Sequence, residues 1–425
     1  MTKERAFQVL IAPDKFKGSL TAEEVAGAIS EGLLATGGSN IRTALLPLAD
    51  GGDGSVAAAI SAGFHGITTP VNGPDGARTM TTIAFDGHTA VVEVANTSGL
   101  AMMDGRLNAL GAASTGVGQA IRAAIAWGAT RIVVGLGGSA STDGGAGMLA
   151  ALGARFRTSE GELLEPSGGT LAAATSLDLS DLISLENVEL VGASDVRAPL
   201  LGEYGAARVF AAQKGADAAG IETLEHNLQH LVRLCADAGL PHAHETAQTP
   251  GAGSAGGTGF ALAMLGGRLV SGAGFFLDLL DFESRVRECD LVVTGEGSLD
   301  AQTAQGKLIS VVAARAMGRP VIAIAGRSDV AAGGAEHLRI DAVYTLQDMT
   351  DADTARDRAL SLTLVRAIAA QIGRSWVPRT QSGHTRLRSI GGHGLPLADR
   401  QTVTRSSDGV LVTSHEPWLG QMLGG

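Results

Sequence analysis

The stretch AFQVLIAPDKFKGSLTAEEVA (6–26) contains the local pattern from which the fold is built. Its apolar part, residues 6–13, predicts a buried strand because it is short, continuous and bounded by a turn sequence. The segment Thr21-Ala-Glu-Glu24 is a capping box, which predicts a helix from about residue 21 to 36. The polar loop between them carries Asp14, Lys15, Lys17 and Ser19. Because a helix N-terminus favours anions, this loop is a candidate anion site, with an ordinary polar connection as the alternative.

The same order of strand, polar turn and helix recurs along the chain, and it predicts an α/β protein with largely parallel strands. Further strands are expected at 41–48, 131–138, 188–196, 290–297, 320–326 and 341–346. Further helices are expected near 144–156, 217–239, 274–288, 306–318 and 352–372. Between about 65 and 95, alternating runs with the turn sequences NGPDG and FDGH predict hairpins. This change of pattern is a candidate domain boundary.

The composition indicates a globular protein of two or three domains. The chain has 425 residues, of which 45% are hydrophobic and 18% charged. It contains no apolar run of the roughly 18–20 residues that a membrane helix needs. The N-terminal sequence lacks a cleavage site for secretion, and two cysteines are too few for a disulfide framework, so a reduced cytoplasmic location is expected. A net charge of −11 favours neither nucleic acid nor an anionic membrane as partner.

The C-terminal extension, residues 374–425, has a different composition. It holds six arginines against three acidic residues and shows little hydrophobic periodicity. We therefore expect it to be poorly ordered or loosely docked, and dispensable for chemistry.

Glycine and lysine are used unusually. The chain has 60 glycines, about twice the ordinary share, and they cluster after apolar strands, where a bare backbone can approach a ligand. Only five of the 32 basic residues are lysines: Lys3, Lys15, Lys17, Lys214 and Lys307. Codon bias explains the total, but four of the five stand in polar, glycine-containing loops. A compact ammonium there suits contact with a single phosphate oxygen.

Three further glycine-rich loops follow predicted strands. PLADGGDGS (47–55) offers Asp50 and Asp53 to Mg²⁺ or to a proton, with turn and helix-cap roles as the alternative. GLGGSASTDGGAGM (135–148) is a candidate phosphate cradle, with close helix–strand packing as the alternative, and its Asp143 either caps the helix or meets a metal. TGEGSLDAQTAQGK (294–307) carries Glu296, Asp300, Gln302 and Lys307, and an acid pair with a lysine is suited to phosphoryl transfer.

No well-known nucleotide or metal motif occurs in complete form and in the sequence setting that it requires. The GxGxxG at 251–256 follows a polar segment instead of a strand, and no acidic residue follows at the distance that a dinucleotide site needs. AQTAQGKL (301–308) has Ala301 where a Walker A loop begins with glycine. No His/Cys cluster with zinc spacing occurs.

Taken together, six motifs resemble the bacterial glycerate kinases of the first type, over about residues 6–372. They are APDKFKGSLTAEEVA, PLADGGDGS, GLGGSASTDGGAGML, DVRAPLLGEYGAARVFAAQKGA, PGAGSAGGTGF and VVTGEGSLDAQTAQGK. The chain departs modestly from the family pattern at VANTSGL (94–100), STGVGQ (114–119) and STDGG (141–145), where substrate contacts could be tuned.

The resemblance implies ATP- and Mg²⁺-dependent phosphorylation of D-glycerate, commonly to 2-phosphoglycerate. It also implies a Rossmann/flavodoxin-like parallel-sheet domain with a second α/β domain inserted in it. We place the first domain at 1–74 plus 275–373, the inserted domain at 75–274 and the extension at 374–425. A homodimer is compatible with this interpretation. The alternative function is that of a non-catalytic anion-binding or regulatory protein that uses the same glycine-rich loops.

Within the resemblance each candidate residue receives an expected role. The expected catalytic residues are Lys17, Asp195, Lys214 and Glu296. Expected substrate contacts are Asp14, Lys15, Ser19 and Arg197, with the substrate carboxylate on Lys15 or Arg197. Expected nucleotide contacts are Gly137, Gly138, Ser139, Asp143, Gly144 and Lys307. Mg²⁺ is expected on Asp53 or Glu296, and Asp195 is our first choice to orient or deprotonate the attacking hydroxyl.

Overall fold

The computed structural model describes residues 5–37, 40–299, 307–329 and 338–378, together with the backbone of two short strands in the C-terminal extension. The strands are β1 Phe7–Pro13, β2 Ile41–Leu45, β3 His65–Asn72, β4 Arg78–Phe85, β5 Thr89–Glu93, β6 Arg131–Gly135, β7 Arg155–Arg157, β8 Leu163–Leu164, β9 Ser176–Asp178, β10 Glu189–Ala193, β11 Arg268–Val270, β12 Leu291–Leu299, β13 Val321–Ser328, β14 Ala342–Thr345, β15 Thr402–Arg405 and β16 Leu411–Ser414.

The helices alternate with these strands along most of the chain. They are α1 Ala22–Gly37, α2 Ser55–Ser61, α3 Val94–Thr97, α4 Thr115–Ala126, α5 Ala146–Ala151, α6 Ala206–Phe210, α7 Ala218–Asp237, α8 Ala243–Ala247, α9 Ser254–Met264, α10 Gly272–Leu279, α11 Phe282–Glu288, α12 Leu308–Arg315 and α13 Arg358–Trp376. The α/β class predicted from the sequence is thereby confirmed.

The chain divides into two compact units. The discontinuous unit comprises Met1–Leu45, Ser284–Gln305 and Val312–Gly425, and the central unit comprises Leu46–Glu283 and Gly306–Val311. The predicted boundary at 74/75 falls in the turn between β3 and β4, which are paired strands of one sheet. That segment therefore belongs wholly to the central unit, and the structure moves the first boundary to the end of β2.

The discontinuous unit is built on a five-stranded sheet in the order β14-β13-β12-β1-β2. Every neighbouring pair is parallel. Numbered by their sequence within the unit, the strands run 2-1-3-4-5, which is the flavodoxin-like order. Its core is formed by apolar side chains of β1, α1, β12, β13 and α13.

Helix α1 begins as the capping box predicts. Thr21 N donates to Glu24 Oε2 at 2.9 Å, and Glu24 N donates to Thr21 Oγ1 at 3.2 Å. The helix packs closely on α13, because Gly32 brings its backbone against Arg366 and Ala369. Helix α13 extends to Trp376 and Val377 is buried, so this unit continues past the predicted end at residue 373.

The central unit contains a six-stranded sheet in the order β11-β10-β6-β5-β4-β3. Strands β11, β10, β6 and β5 are parallel, whereas β5–β4 and β4–β3 form the two predicted hairpins. A small antiparallel sheet, β8-β7-β9, adds to this unit. The main core lies beneath the parallel strands, among α4, α5, α7 and α9.

Several helices differ in length from their sequence predictions. Helix α5 begins at residue 146 instead of 144, because Gly144 and Gly145 adopt left-handed conformations, and left-handed Gly153 follows its end. The helix expected at 274–288 is divided into α10 and α11, with Asp281 at φ 52° between them. In the C-terminal extension β15 and β16 form an antiparallel pair. The sequence analysis did not predict these strands, because the extension shows little hydrophobic periodicity.

Two glycines of α1 give a matched test of the α1–α13 contact. A Cβ at Gly32 would lie 2.3 Å from the Arg366 carbonyl oxygen, whereas a Cβ at Gly27 would meet nothing within 4 Å. We expect Gly32→Ala to destabilise by about 1–3 kcal/mol, since the helices must separate. Gly27→Ala should stabilise by about 0.5–1 kcal/mol through helix propensity. Urea unfolding of both variants measures this, and equal effects would contradict the packing described.

Candidate active site

In the discontinuous unit the candidate residues lie at the topological switch point of the sheet. Ligands of open parallel sheets bind outside the carboxyl ends of the strands, where the strand order reverses, here between β1 and β12. Asp14 directly follows β1, and its N–H donates to the Gly295 carbonyl of β12 at 2.8 Å. Glu296, the next residue of β12, is buried. Asp14 and Glu296 therefore occupy the same edge of the sheet.

The loop after β1 carries the other predicted residues of this unit. Asp14 Oδ1 accepts the Lys15 N–H at 2.7 Å and lies 4.0 Å from Lys15 Nζ. Phe16 and Leu20 close the loop through a bridge, while Ser19 Oγ donates to the Phe16 carbonyl at 3.3 Å and Lys17 is exposed. The structure thus brings Asp14, Lys15, Lys17 and Ser19 together on one short loop at the switch point.

Lys307 lies at the start of α12. Its carbonyl accepts the Ser310 N–H at 3.0 Å and the Ser310 hydroxyl at 2.7 Å. The acid and amide predicted beside it, Asp300 and Gln302, lie outside the described residues.

In the central unit Asp143 organises the glycine-rich loop that follows β6. The carboxylate is fully buried and accepts four hydrogen bonds, from Ser114 N and Oγ at 2.8 and 2.7 Å and from Gly145 N and Gly147 N, each at 3.1 Å. Both oxygens are therefore engaged with the start of α5 and with Ser114 ahead of α4. Asp143 thus accepts an N–H of the first turn of α5, from Gly147, although the N-cap residue itself is Gly145.

Lys214 supports the same loop from within the protein. Its side chain is 3% exposed, and Nζ donates to Ser139 Oγ at 2.8 Å and to the Ser141 carbonyl at 2.6 Å. Burial lowers the pKa of Lys214 to about 7, and the charge of Asp143 opposes part of that shift. The two hydrogen bonds from Nζ fix the conformation of the loop above it.

Close packing accounts for part of the glycine content of this loop. A Cβ at Gly137 would lie 2.4 Å from Gly52 Cα, and one at Gly144 would lie 2.3 Å from a Leu231 methyl group. Close packing, which the sequence analysis named as the alternative to a phosphate cradle, therefore requires glycine at these two positions. Three buried hydroxyls nearby, those of Ser98, Ser141 and Thr142, have no hydrogen-bond partner within the part of the chain that the structure describes.

The loop after β2 is held by Glu93, an acidic residue of β5 that the sequence interpretation missed. Glu93 ends β5, is 1% exposed, and accepts Gly54 N at 3.1 Å and Val56 N at 3.0 Å. The pKa of Glu93 is raised to about 7, chiefly by burial and in smaller part by the neighbouring Asp53 carboxylate. The only sign of Glu93 in the sequence is that a single acidic residue interrupts the apolar run AVVEVA.

Asp50, in the same loop after β2, accepts the Gly52 N–H at 2.9 Å. This contact is the turn role that the sequence analysis named as the alternative to metal or proton binding.

Asp195 follows β10 and has one oxygen engaged and one free. Its Oδ1 accepts Ser271 Oγ at 2.9 Å and Ala273 N at 3.4 Å. Its buried Oδ2 has no hydrogen-bond partner among the described residues. Burial raises the pKa of Asp195, and the negative charge of Asp50 adds to that effect. Arg197, two residues further, is exposed.

Backbone contacts join these loops of the central unit into one cluster at the carboxyl ends of β6 and β10. Gly137 N donates to the Gly51 carbonyl at 3.1 Å. A Cβ at Gly51 would lie 2.5 Å from the Ala193 carbonyl oxygen, and one at Gly272 would lie 1.8 Å from that of Asp50. The cluster combines Asp50, Asp53, Glu93 and Asp195 with the loop over Lys214. This grouping of acids, hydroxyls and glycine backbone suits the transfer of a charged group.

The predicted metal ligands lie in different units, Asp53 in the central unit and Glu296 in the discontinuous one. In the described part of the chain no group of three or more His, Cys, Asp or Glu side chains could hold a metal ion by itself. Mg²⁺ commonly uses only one or two carboxylates, with water and other oxygens completing its coordination, so Asp53 or Glu296 alone is chemically suited to be a ligand.

A cavity of about 450 Å³ adjoins this cluster. It is lined by Arg131, Arg268, Val270, Ser271, Gly274, Phe275, Asp278 and Leu279. Among these residues Ser271 also contacts Asp195.

Comparison with known proteins identifies the family. The sequence model of the glycerate kinase family matches residues 9–377. The chain belongs to the glycerate kinase family. A glycerate kinase of Bacillus subtilis (strain 168) is 40% identical over 384 residues, covering 85% of this chain and 99% of that protein. A glycerate 2-kinase of Escherichia coli (strain K12) is 39% identical over 350 residues, covering 80% of this chain and 90% of that protein.

A solved structure supports the same family at the level of the fold. The crystal structure provisionally assigned as glycerate kinase 2 of Salmonella typhimurium LT2 superposes with a TM-score of 0.74 at 35% sequence identity. The match covers 87% of this chain and 98% of that one. This member of the glycerate kinase family is thus an enzyme, a kinase for a small-molecule substrate. None of its described helices has the length and apolar character needed to cross a membrane.

Lys214 predicts a pH dependence of stability for this family member. Between pH 7 and about 10 the unfolded lysine holds a proton that the folded one has lost, so the free energy of unfolding rises with pH. The difference between wild type and Lys214→Met should grow with pH over this window, by up to about 1.4 kcal/mol per pH unit. Lys17→Met, at an exposed lysine, is the control and should leave the slope unchanged. Urea unfolding at several pH values checks this, and parallel curves for wild type and Lys214→Met would contradict it.

Proposed function

We propose that this protein transfers the terminal phosphoryl group of ATP to D-glycerate, giving 2-phosphoglycerate and ADP. The observation that carries the proposal is Asp195, a half-buried carboxylate with one oxygen held and the other free, beside the glycine-rich loop. The motif agreement and family membership supply the substrate and donor class.

Asp195 is assigned the role of general base. As the substrate hydroxyl oxygen bonds to the γ-phosphorus, the bond from that phosphorus to the β,γ-bridging oxygen breaks and ADP leaves. The hydroxyl proton passes to Asp195 Oδ2. The raised pKa of Asp195 brings its proton affinity closer to the working pH, which strengthens it as a base.

The glycine-rich loop of the central unit is assigned to the nucleotide phosphates. Backbone N–H groups near Gly137, Gly138 and Gly144, with Ser139, offer donors that a glycine backbone leaves accessible. Lys214 beneath the loop holds Ser139 and Ser141 in place through two hydrogen bonds. Asp143 takes part as the support that holds the loop, through its four hydrogen bonds. Lys307, with a compact ammonium, is a further phosphate contact in this proposal.

The switch-point loop of the discontinuous unit is assigned to anion binding. Lys15, partly buried beside Asp14, is a candidate for the substrate carboxylate, and Arg197 of the central unit is the other candidate. Ser19 and Asp14 are proposed substrate contacts, while the exposed Lys17 is proposed to neutralise charge that develops during transfer.

Mg²⁺ is the metal that the oxygen-rich donors fit. Asp53 or Glu296 would hold it, and when bound it would neutralise charge on the phosphates. We further propose a cytoplasmic location, which the two free, buried cysteines Cys235 and Cys289 support.

The alternative, a non-catalytic anion-binding protein, is disfavoured by the same carboxylates. A receptor for anions is weakened by acidic side chains such as Asp195 placed next to its ligand. A kinase needs such a group to accept a proton.

One assay separates the two functions. Purified protein should release ADP from Mg·ATP when D-glycerate is added, as measured with a coupled enzyme assay. Phosphorus NMR of the product should show the 2-phosphate. ATP turnover that is no faster with glycerate than without it would contradict the kinase, and a 3-phosphate product would contradict the proposed regiochemistry.

Lys17→Arg tests the need for a compact ammonium. We expect kcat/KM to fall at least ~10²-fold, because the wider planar guanidinium would not fit the close contact that we propose between Lys17 and the transferred phosphoryl group. Lys214→Arg should lose as much, since Nζ lies in close contact with Ser139 and Ser141. Lys3→Arg, ahead of β1, is the control. Normal turnover by Lys17→Arg, with an unchanged thermal midpoint, would show that Lys17 acts only as a distant charge.

A further inference from the structure

Ser271 lies between β11 and α10 and bonds in two directions at once. It is the N-cap of α10, where its hydroxyl oxygen accepts the Gly274 N–H at 3.5 Å. The same hydroxyl lies 2.9 Å from Asp195 Oδ1. A hydroxyl has a single proton, and the backbone N–H can only donate, so the proton of Ser271 is directed to Asp195.

The backbone around this pair is fixed by the sheet. Strands β10 and β11 are parallel, with Ala193 opposite Val270, and Ser194 N donates to the Val270 carbonyl at 3.0 Å. The next residue of α10, Gly272, packs so closely on Asp50 that a Cβ would lie 1.8 Å from its carbonyl oxygen. Ser271 therefore has little freedom to move away from Asp195.

The two carboxylate oxygens of Asp195 differ in their hydrogen bonds. Oδ1 is occupied by Ser271 and by Ala273 N, while Oδ2 is buried and has no partner among the described residues. An unpaired buried carboxylate oxygen is costly, and such an oxygen is expected to meet a donor on a bound ligand.

We propose that Ser271 is the positioning residue for Asp195, holding Oδ1 so that Oδ2 is presented to the hydroxyl that is phosphorylated. This inference rests on the proposed function, in which Asp195 is the base. It adds a residue that lies outside all six motifs. Its role resembles that of the group that orients a base in other acid–base sites.

The competing explanation is that Ser271 only caps α10. The two roles separate chemically, because an N-cap side chain needs an acceptor, whereas the bond to Asp195 needs a donor. Ser271→Asp keeps the acceptor and loses the donor. Ser271→Ala loses both, and Ser271→Thr keeps both.

The experiment measures kcat, KM for D-glycerate and thermal midpoint for these three variants of the full chain. We expect Ser271→Thr to stay within about threefold of wild type. Ser271→Ala should lose about 10–100-fold in kcat with KM nearly unchanged. Ser271→Asp should lose at least as much kcat, since the donor is lost and a second carboxylate faces Asp195. Its retained acceptor still caps α10, so a fall in its thermal midpoint would report repulsion between the two carboxylates and not a lost cap.

A matched capping control is available in the same unit. Asp217 is the N-cap of α7 and accepts Gly220 N at 2.7 Å. Asp217→Ala should lower the thermal midpoint but leave kcat at the wild-type value. If Ser271→Asp turned over as fast as wild type, Ser271 would be a cap only and the inference would be overturned.

The dependence of kcat on pH provides a second test, because a residue that only caps α10 would not change it. The Ser271 hydrogen bond favours ionised Asp195, against the effects of burial and of the Asp50 charge. Its loss in Ser271→Ala should shift the acidic limb of kcat to higher pH, and an unshifted limb would overturn the inference. Failure of wild type to phosphorylate glycerate would instead refute the proposed function, so the two failures are distinguishable.

Discussion

The candidate site of the central unit depends on backbone segments that approach more closely than side chains allow. At the carboxyl ends of β6 and β10, Gly51, Gly137 and Gly272 each face another backbone segment at a distance that a Cβ could not occupy. This steric constraint is what brings the loop of Asp50 and Asp53 against the loop of Asp195. The main role of these glycines is therefore steric, because the absence of a Cβ lets the three loops pack directly against one another.

Buried charge then fixes the loops in place. Asp143 is held by four donors and Lys214 by two oxygens, so each is paired within the protein. Glu93 holds two backbone amides beside Asp53 in the same way. Burying such groups is costly unless their hydrogen bonds are made, so the loops have one arrangement that satisfies them. The result is a preorganised polar cluster, which is what electrostatic catalysis of phosphoryl transfer requires.

In the discontinuous unit, the strand order of the sheet brings the candidate residues to one edge. Its strand order reverses next to β1, and the polar loop after β1 and the acid of β12 lie at that reversal. A parallel sheet of this order places the carboxyl ends of β1 and β12 side by side whatever their sequence. Lys15 and Glu296 are therefore neighbours of the same edge although about 280 residues separate them in the chain.

Features that depend on local pattern could be predicted from the sequence. It predicted the α/β class, the hairpins near 65–95, the start of α1 at its capping box and the loops that carry the charged residues. Periodicity, capping and turn chemistry act over a few neighbours and so can be seen in one dimension. The contacts of each loop residue became visible only in the folded chain: Asp143 accepts an N–H from the first turn of α5, Lys214 is buried, and Asp195 accepts a hydrogen bond from Ser271. The tertiary structure also revealed Glu93, whose bonds reach residues 37 and 39 positions away. These outcomes depend on burial and on hydrogen bonds between distant segments, which exist only once the chain has folded.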